Sequence, residues 1–190
     1  METNSVKDYI RGVKSCLDQV SEAEIHAVVQ LIFKAYKEGK NVFILGNGGS
    51  SATASHFACD LNKTIAVEGK LRVKAMSLTD NVPVLTAIAN DISYDAVFKE
   101  QLINFLNKGD VVICISASGN SPNVLMAAAY AKTQGAVTIG LIGFGGGKLR
   151  ELVDKAIVLS VADYGQVEGA HSVLAHLISR EVGMKLRKES

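Results

Sequence analysis

The stretch Asn41-Val42-Phe43-Ile44-Leu45-Gly46-Asn47-Gly48-Gly49-Ser50-Ser51 decides the fold. A run of apolar β-formers passes into small residues and hydroxyls, and these open a helix. The pattern returns about seventy residues later. There Asp110-Val111-Val112-Ile113-Cys114-Ile115 leads into Ser116-Ala117-Ser118-Gly119-Asn120-Ser121. A strand that ends this way is built to hold an anion. The first N–H groups of the helix have no carbonyl partner, the helix dipole is positive at that end, and serine hydroxyls add donors. Two such turns on neighbouring strands frame one pocket, and its natural guest is a phosphorylated small molecule.

From Asn41 onward strand and helix alternate. Strands are expected near 41–46, 72–77, 110–115, 136–142 and 156–161. Helices are expected from Ser50 into the sixties, at 81–89, 94–106, 121–134 and 165–187. This alternation predicts an α/β fold, a doubly wound parallel five-stranded sheet with helices on both faces. Ligands in such folds sit beyond the carboxyl ends of the strands, where strand order reverses. A third turn, Gly143-Phe144-Gly145-Gly146-Gly147, reads as a connector.

The first forty residues read as helical. Ile10, Val13, Leu17 and Val20 recur at helical spacing. Ser21-Glu22-Ala23-Glu24 has the form of a capping box, and Gly39 stops the helix that follows. Apolar positions on more than one face point to subunit contacts. The domain reading is therefore a single domain over 1–190, with 1–40 as a helical oligomerisation segment and 41–190 as an α/β sandwich.

With 190 residues the chain is long enough to bury a full core. A formal net charge of +1 gives no general attraction to nucleic acid or acidic membranes. The N-terminus is polar and mixed in charge, unlike a signal sequence, and no apolar stretch is long enough to span a bilayer. Cys16, Cys59 and Cys114 are an odd number, read as thiols rather than a disulfide. The expectation is a soluble cytoplasmic protein.

Several residues could carry chemistry. His56 and Asp60 lie four apart on the helix opened by the first turn, so they share a face. They could bind a metal, do acid–base work, or simply hydrogen-bond on the surface. The last helix carries Glu168, His171 and His176 among apolar neighbours. A histidine in that setting is either an interior residue or a catalytic one. Asn90-Asp91 either ends a helix or hydrogen-bonds sugar hydroxyls.

Taken together, these residues resemble the phosphoheptose isomerases (sedoheptulose 7-phosphate isomerases) of the SIS sugar-isomerase superfamily. The resemblance rests on Leu45 to Ser50 with His56-Phe57-Ala58, Leu85 to Asp91, Ser116 to Asn123, and His171 to His176. Their order and spacing hold over nearly the whole chain. The resemblance implies the SIS fold, a homotetramer with active sites built between subunits, and no organic cofactor. It implies that Ser50, Ser116, Ser118 and Ser121, with Ala117, hold the phosphate. Asn47, Gly48, Gly49, Asn90, Asp91 and Glu168 would line the sugar site. Asp60 would shuttle a proton between C1 and C2, and His176 would open the ring and move protons to oxygen. It further implies zinc or another divalent ion, one per site, on His56, Asp60, Glu168 and His176.

Three departures stand out. Asp60 replaces the family's glutamate, Glu168 its glutamine and Ala117 its threonine. Asp60 is the serious one. One methylene less withdraws the carboxylate by about 1.5 Å, and a misplacement of about 1 Å can cost a hundredfold in rate. Two carboxylates near each other either raise one pKa or recruit a cation. The implied activity is a ketose–aldose isomerase converting sedoheptulose 7-phosphate to D-glycero-D-manno-heptose 7-phosphate through an enediol. Two other readings use the same residues. One is a non-catalytic phosphosugar-binding protein with a regulatory or replication-initiator-binding role. The other is an isomerase of a different phosphosugar.

Overall fold

A computed structural model describes residues 6–189. Whatever the sequence implies for 1–5 and 190 lies outside the described residues. Five parallel strands form one sheet: β1 (Asn41–Gly46), β2 (Lys74–Ser77), β3 (Val111–Ser116), β4 (Val137–Ile142) and β5 (Lys155–Val158). Their spatial order is β2-β1-β3-β4-β5. The chain leaves β1 toward one edge and returns to place β3 on its other side. The switch point is therefore the crevice between β1 and β3, beneath the two serine turns.

Successive strand residues face opposite sides, and both sides are covered. Val42, Ile44, Ile113, Ile115, Leu141 and Ile157 enter one core with α2 (Glu22–Lys37), α3 (Gly49–Cys59) and α8 (Tyr164–Lys188). Phe43, Leu45, Val112, Cys114 and Ile142 enter the other. That core includes α5 (Lys99–Phe105), α6 (Pro122–Thr133) and α7 (Leu149–Leu152). α1 (Val6–Asp18) packs on α8 and buries only Cys16. α4 (Val82–Asp91) buries no residue fully. Cys16 and Cys114 are buried free thiols and Cys59 an exposed one, and burial pushes the Cys114 thiol up to about 12.

The capping box forms as read: Glu24 N–H donates to Ser21 Oγ and Ser21 N–H to the Glu24 carboxylate. Gly39, with φ +65°, stops α2. Several boundaries differ from expectation; β2 begins at Lys74 rather than 72, and α4 runs on to Asp91 rather than 89. The helix expected at 94–106 divides into a 3₁₀ turn (Tyr94–Ala96) and α5, because Val97 and Phe98 turn fully into the core between them. β5 ends at Val158 rather than 161, while α7 follows the glycine-rich turn without a periodic signal. After α3 the chain widens into one π-helical turn, Asp60–Thr64, with Ile65 N–H bonded to the Asp60 carbonyl. Such turns recur at functional sites.

Candidate active site

The two serine turns enclose a cavity of about 110 Å³ beyond the ends of β1 and β3. Ser50, Ser116, Ser118 and Ser121 line it together with Asn47 and Ala117, and Tyr164 and Glu168 close its rim. α3 and α6 both begin beside it, so two positive helix ends bear on the same small space. The hydroxyl oxygens of Ser116 and Ser118 accept from the N–H groups of Gly119 and Asn120. Their protons stay free to be donated. Ser121 precedes α6 without capping it, so its hydroxyl is free as well. Gly48 sits at φ +54°, a conformation L side chains rarely adopt, and this lets the chain drop from β1 into α3.

Two contacts hold the turns in place. The amides of Asn47 and Asn123 exchange hydrogen bonds of 2.9 Å in both directions. Tyr94 adds its hydroxyl to the Asn47 oxygen at 3.0 Å. The glycine-rich turn 143–147 is more than the connector expected from sequence. A Cβ on Gly119 would lie 2.1 Å from the Gly146 carbonyl, and Lys148 N–H donates to the Asn120 side chain. Backbone lies directly on backbone there, bracing the second serine turn from behind. Phe144, at φ 49°, stacks edge-on against Tyr164 at the cavity rim.

The acid–base groups gather further along α3. Asp60 is 6% exposed. Its Oδ1 accepts from Thr64 at 2.9 Å. Its Oδ2 lies 3.0 Å from His176 Nδ1 and 3.6 Å from His56 Nε2. The two imidazoles meet edge to face at 4.6 Å between centroids. Ligand atoms of His56, Asp60 and His176 lie within 4.8 Å of one another. Two imidazoles and a carboxylate, with one side open to a cleft of about 610 Å³, match the donor set of a catalytic zinc site.

The fourth expected ligand stands apart. Glu168 lies eight residues before His176, about 12 Å along α8. Its carboxylate rests against Gly49, where an added Cβ would lie 2.2 Å from Oε2. Nor does Glu168 meet His171, three residues on. That imidazole is fully buried, and neither ring nitrogen has a hydrogen-bond partner. Burial lowers it to about 4, and the Ile142 carbonyl, near the ring but outside hydrogen-bond geometry, works against the shift. Asn90 and Asp91 line neither the serine cavity nor the His56–His176 cleft. They sit exposed at the end of α4, the Asn90 amide donating to Asp91, because that helix stands off the body of the fold.

Sequence reading assigned no role to Thr64, Asn123, Tyr94 or Tyr164. The four-residue spacing from Asp60 to Thr64 was a usable signal. Asn123 closes the serine-turn segment Ser116 to Asn123, and nothing local marks the two tyrosines.

Fold and site define an open α/β protein with an anion cradle at its switch point and a histidine–carboxylate cluster beside it. The chain belongs to the SIS domain family, whose model matches residues 8–143, and within it to the phosphoheptose isomerases. It is 35% identical to the phosphoheptose isomerase of Geobacter metallireducens over 168 residues, 88% of each chain. It is 38% identical to that of Clostridium acetobutylicum over 155 residues, 82% of this chain and 79% of the other. The structure of the phosphoheptose isomerase from Neisseria gonorrhoeae superposes with a TM-score of 0.85 at 27% identity, covering 93% of both chains. These findings bear out the resemblance and the fold read from sequence.

Proposed function

We propose that the chain isomerises sedoheptulose 7-phosphate to the corresponding aldoheptose 7-phosphate by proton transfer through an enediol. The observation that carries this reading is the meeting of two unlike cavities at Glu168, which lines both. One suits a phosphate, and the other is lined by His56 and His176, against which the Asp60 carboxylate is buried. Asp60 follows Ser50 by ten residues, about 15 Å of helix axis. A sugar anchored by its phosphate at the cradle must be long to bring its first two carbons to that acid. Side chains at both ends shorten that span, and a longer sugar phosphate bridges more of it than a short one.

Thr64 holds one oxygen of Asp60 and leaves the other as base. It removes a proton from C1 of the open ketose while the C2 carbonyl oxygen gains one, giving the enediol. Returning the proton to C2, with loss of the O1 proton, leaves the C1 aldehyde. His176, at 3.0 Å from Asp60, is placed to open the ring and to exchange the oxygen protons. His56, Asp60 and His176 would hold a divalent ion, zinc by their donor set. When bound, the ion supplies Lewis-acid polarisation of the sugar carbonyl.

The reading includes a homotetramer. An apolar groove of about 510 Å³ between α1, α2 and α8, with Leu17, Val20, Val173 and Leu177 on its walls, supports such contacts. It also places the protein in the cytoplasm, since phosphorylated sugars do not cross membranes freely. Among the described residues no helix is long and apolar enough to cross a membrane. The near-neutral net charge offers nucleic acid no broad basic face. The test is incubation with sedoheptulose 7-phosphate in deuterated water. Aldose formation supports the isomerase. Phosphosugar binding without product, over a panel of sugars, supports the non-catalytic alternative.

A further inference from the structure

Glu168 occupies an unusual place. It borders the serine cradle on one side and the His56–His176 cleft on the other. Its carboxylate lies flat on Gly49, the first residue of α3, with Cδ 2.6 Å from where a Cβ would stand. Among the described residues no hydrogen bond or ion pair engages its carboxylate oxygens. An anion thus sits at the positive end of α3, in the field that serves the cradle. A phosphoryl group entering the 110 Å³ cavity and this carboxylate repel each other at short range. The other space open to the side chain is the cleft toward the histidine cluster, the position a cation would favour.

We propose that Glu168 couples anion binding in the cradle to divalent-cation binding at His56, Asp60 and His176. The carboxylate swings between the two sites. This rests on the isomerase reading of the same site. Phosphate displaces the carboxylate from Gly49 toward the cluster and raises its affinity for the cation. The cation draws the carboxylate off Gly49 and raises the affinity for phosphate. Linkage requires both factors to be equal. A glutamine at this position has the same length but no charge, so it would bind phosphate without needing to be drawn away.

The experiment uses calorimetry on the full chain, stripped of metal or loaded with one equivalent of Zn²⁺ and freed of excess, titrated with inorganic phosphate. Zinc should tighten phosphate binding roughly 5- to 150-fold, the ordinary range of coupling. A competing chelator should show phosphate tightening zinc by the same factor. In Glu168→Gln, metal-free protein should bind phosphate more tightly than the wild type, and the zinc effect should shrink to about twofold. The reciprocal measurement on wild-type protein stands even if the variant fails to fold. Equal phosphate affinity with and without zinc, an undiminished zinc effect in Glu168→Gln, or failure of wild-type protein to bind zinc would each overturn the coupling. Product formation from sedoheptulose 7-phosphate is scored separately, so an active enzyme without coupling refutes this inference alone.

Discussion

Asn47 and Asn123 are 76 positions apart, yet their amides face each other like a base pair, each donating to the other at 2.9 Å. Asn47 follows β1, and Asn123, 1% exposed, lies in the first turn of α6 after β3. The pair spans the crevice at which strand order reverses. Its effect is to fix the two serine turns at one separation. Asn123 Oδ1 also accepts from Val124 N–H, and Asn47 Oδ1 from the Tyr94 hydroxyl. With most of its bonding capacity engaged inside the protein, Asn47 acts first as a clamp for the cradle.

Asn123→Ala should therefore destabilise the fold by about 1–3 kcal/mol, the ordinary result of leaving a buried polar partner unsatisfied. It should also weaken binding of phosphate esters. In a double-mutant cycle with Asn47→Ala, measured by urea denaturation, the two losses should fall well short of adding. Additive losses would mean that the amide pair does not act as a unit.

Much of this was legible in the sequence, and the boundary has a physical cause. Val42 to Leu45 and Val111 to Ile115 read as strands because they have no polar face to present to water. The capping box at Ser21 and the stop at Gly39 are set by near neighbours. His56, Asp60 and Thr64 share a helix face by spacing alone. What stayed hidden depends on approach between distant segments. The Asn47–Asn123 pair, the seating of Gly146 on Gly119, and the resting place of Glu168 on Gly49 leave no periodic trace. The exposed position of Asn90 and Asp91 depends on how far α4 stands from the sheet, which local pattern does not encode.

The 15 Å of helix axis between Ser50 and Asp60 predicts a dependence on sugar length. Removing one carbon from a ketose phosphate anchored by its terminal phosphate withdraws the reacting carbons by about 1 Å or more. Such a misplacement can cost about a hundredfold. The kcat/KM values for seven-, six- and five-carbon ketose phosphates should therefore fall steeply in that order. A flat series would mean that the phosphate is not the anchor.

Asp60→Asn keeps the shape of the side chain and removes the base. Turnover should fall by about 10²–10⁴, the usual worth of a general base, while phosphate-ester affinity changes little because the cradle lies about ten residues away along α3. Thr64→Val tests the support of that carboxylate. Losing the 2.9 Å hydrogen bond should lower kcat less than Asp60→Asn does, without raising KM. Full turnover in Asp60→Asn would remove Asp60 from the base role.

His171 makes a prediction about stability. Burial holds its imidazole neutral, with a folded value of about 4 against 6.5 in the absence of burial. Between those values the unfolded chain binds more protons than the folded one. Stability must therefore decline as pH drops from about 6.5 to about 4, and this group contributes on the order of 3 kcal/mol over that window. Above 6.5 the imidazole is neutral in both states and contributes no pH dependence. Other groups titrate in the same range, so the signal is the difference between wild type and His171→Phe in urea midpoints from pH 4 to 7. Because neither ring nitrogen has a hydrogen-bond partner, the apolar ring should match or exceed wild-type stability at pH 7. The variant should then gain on the wild type steadily as the solution is acidified. Parallel curves for the two proteins would show that His171 is charged, or reaches solvent, in the folded state.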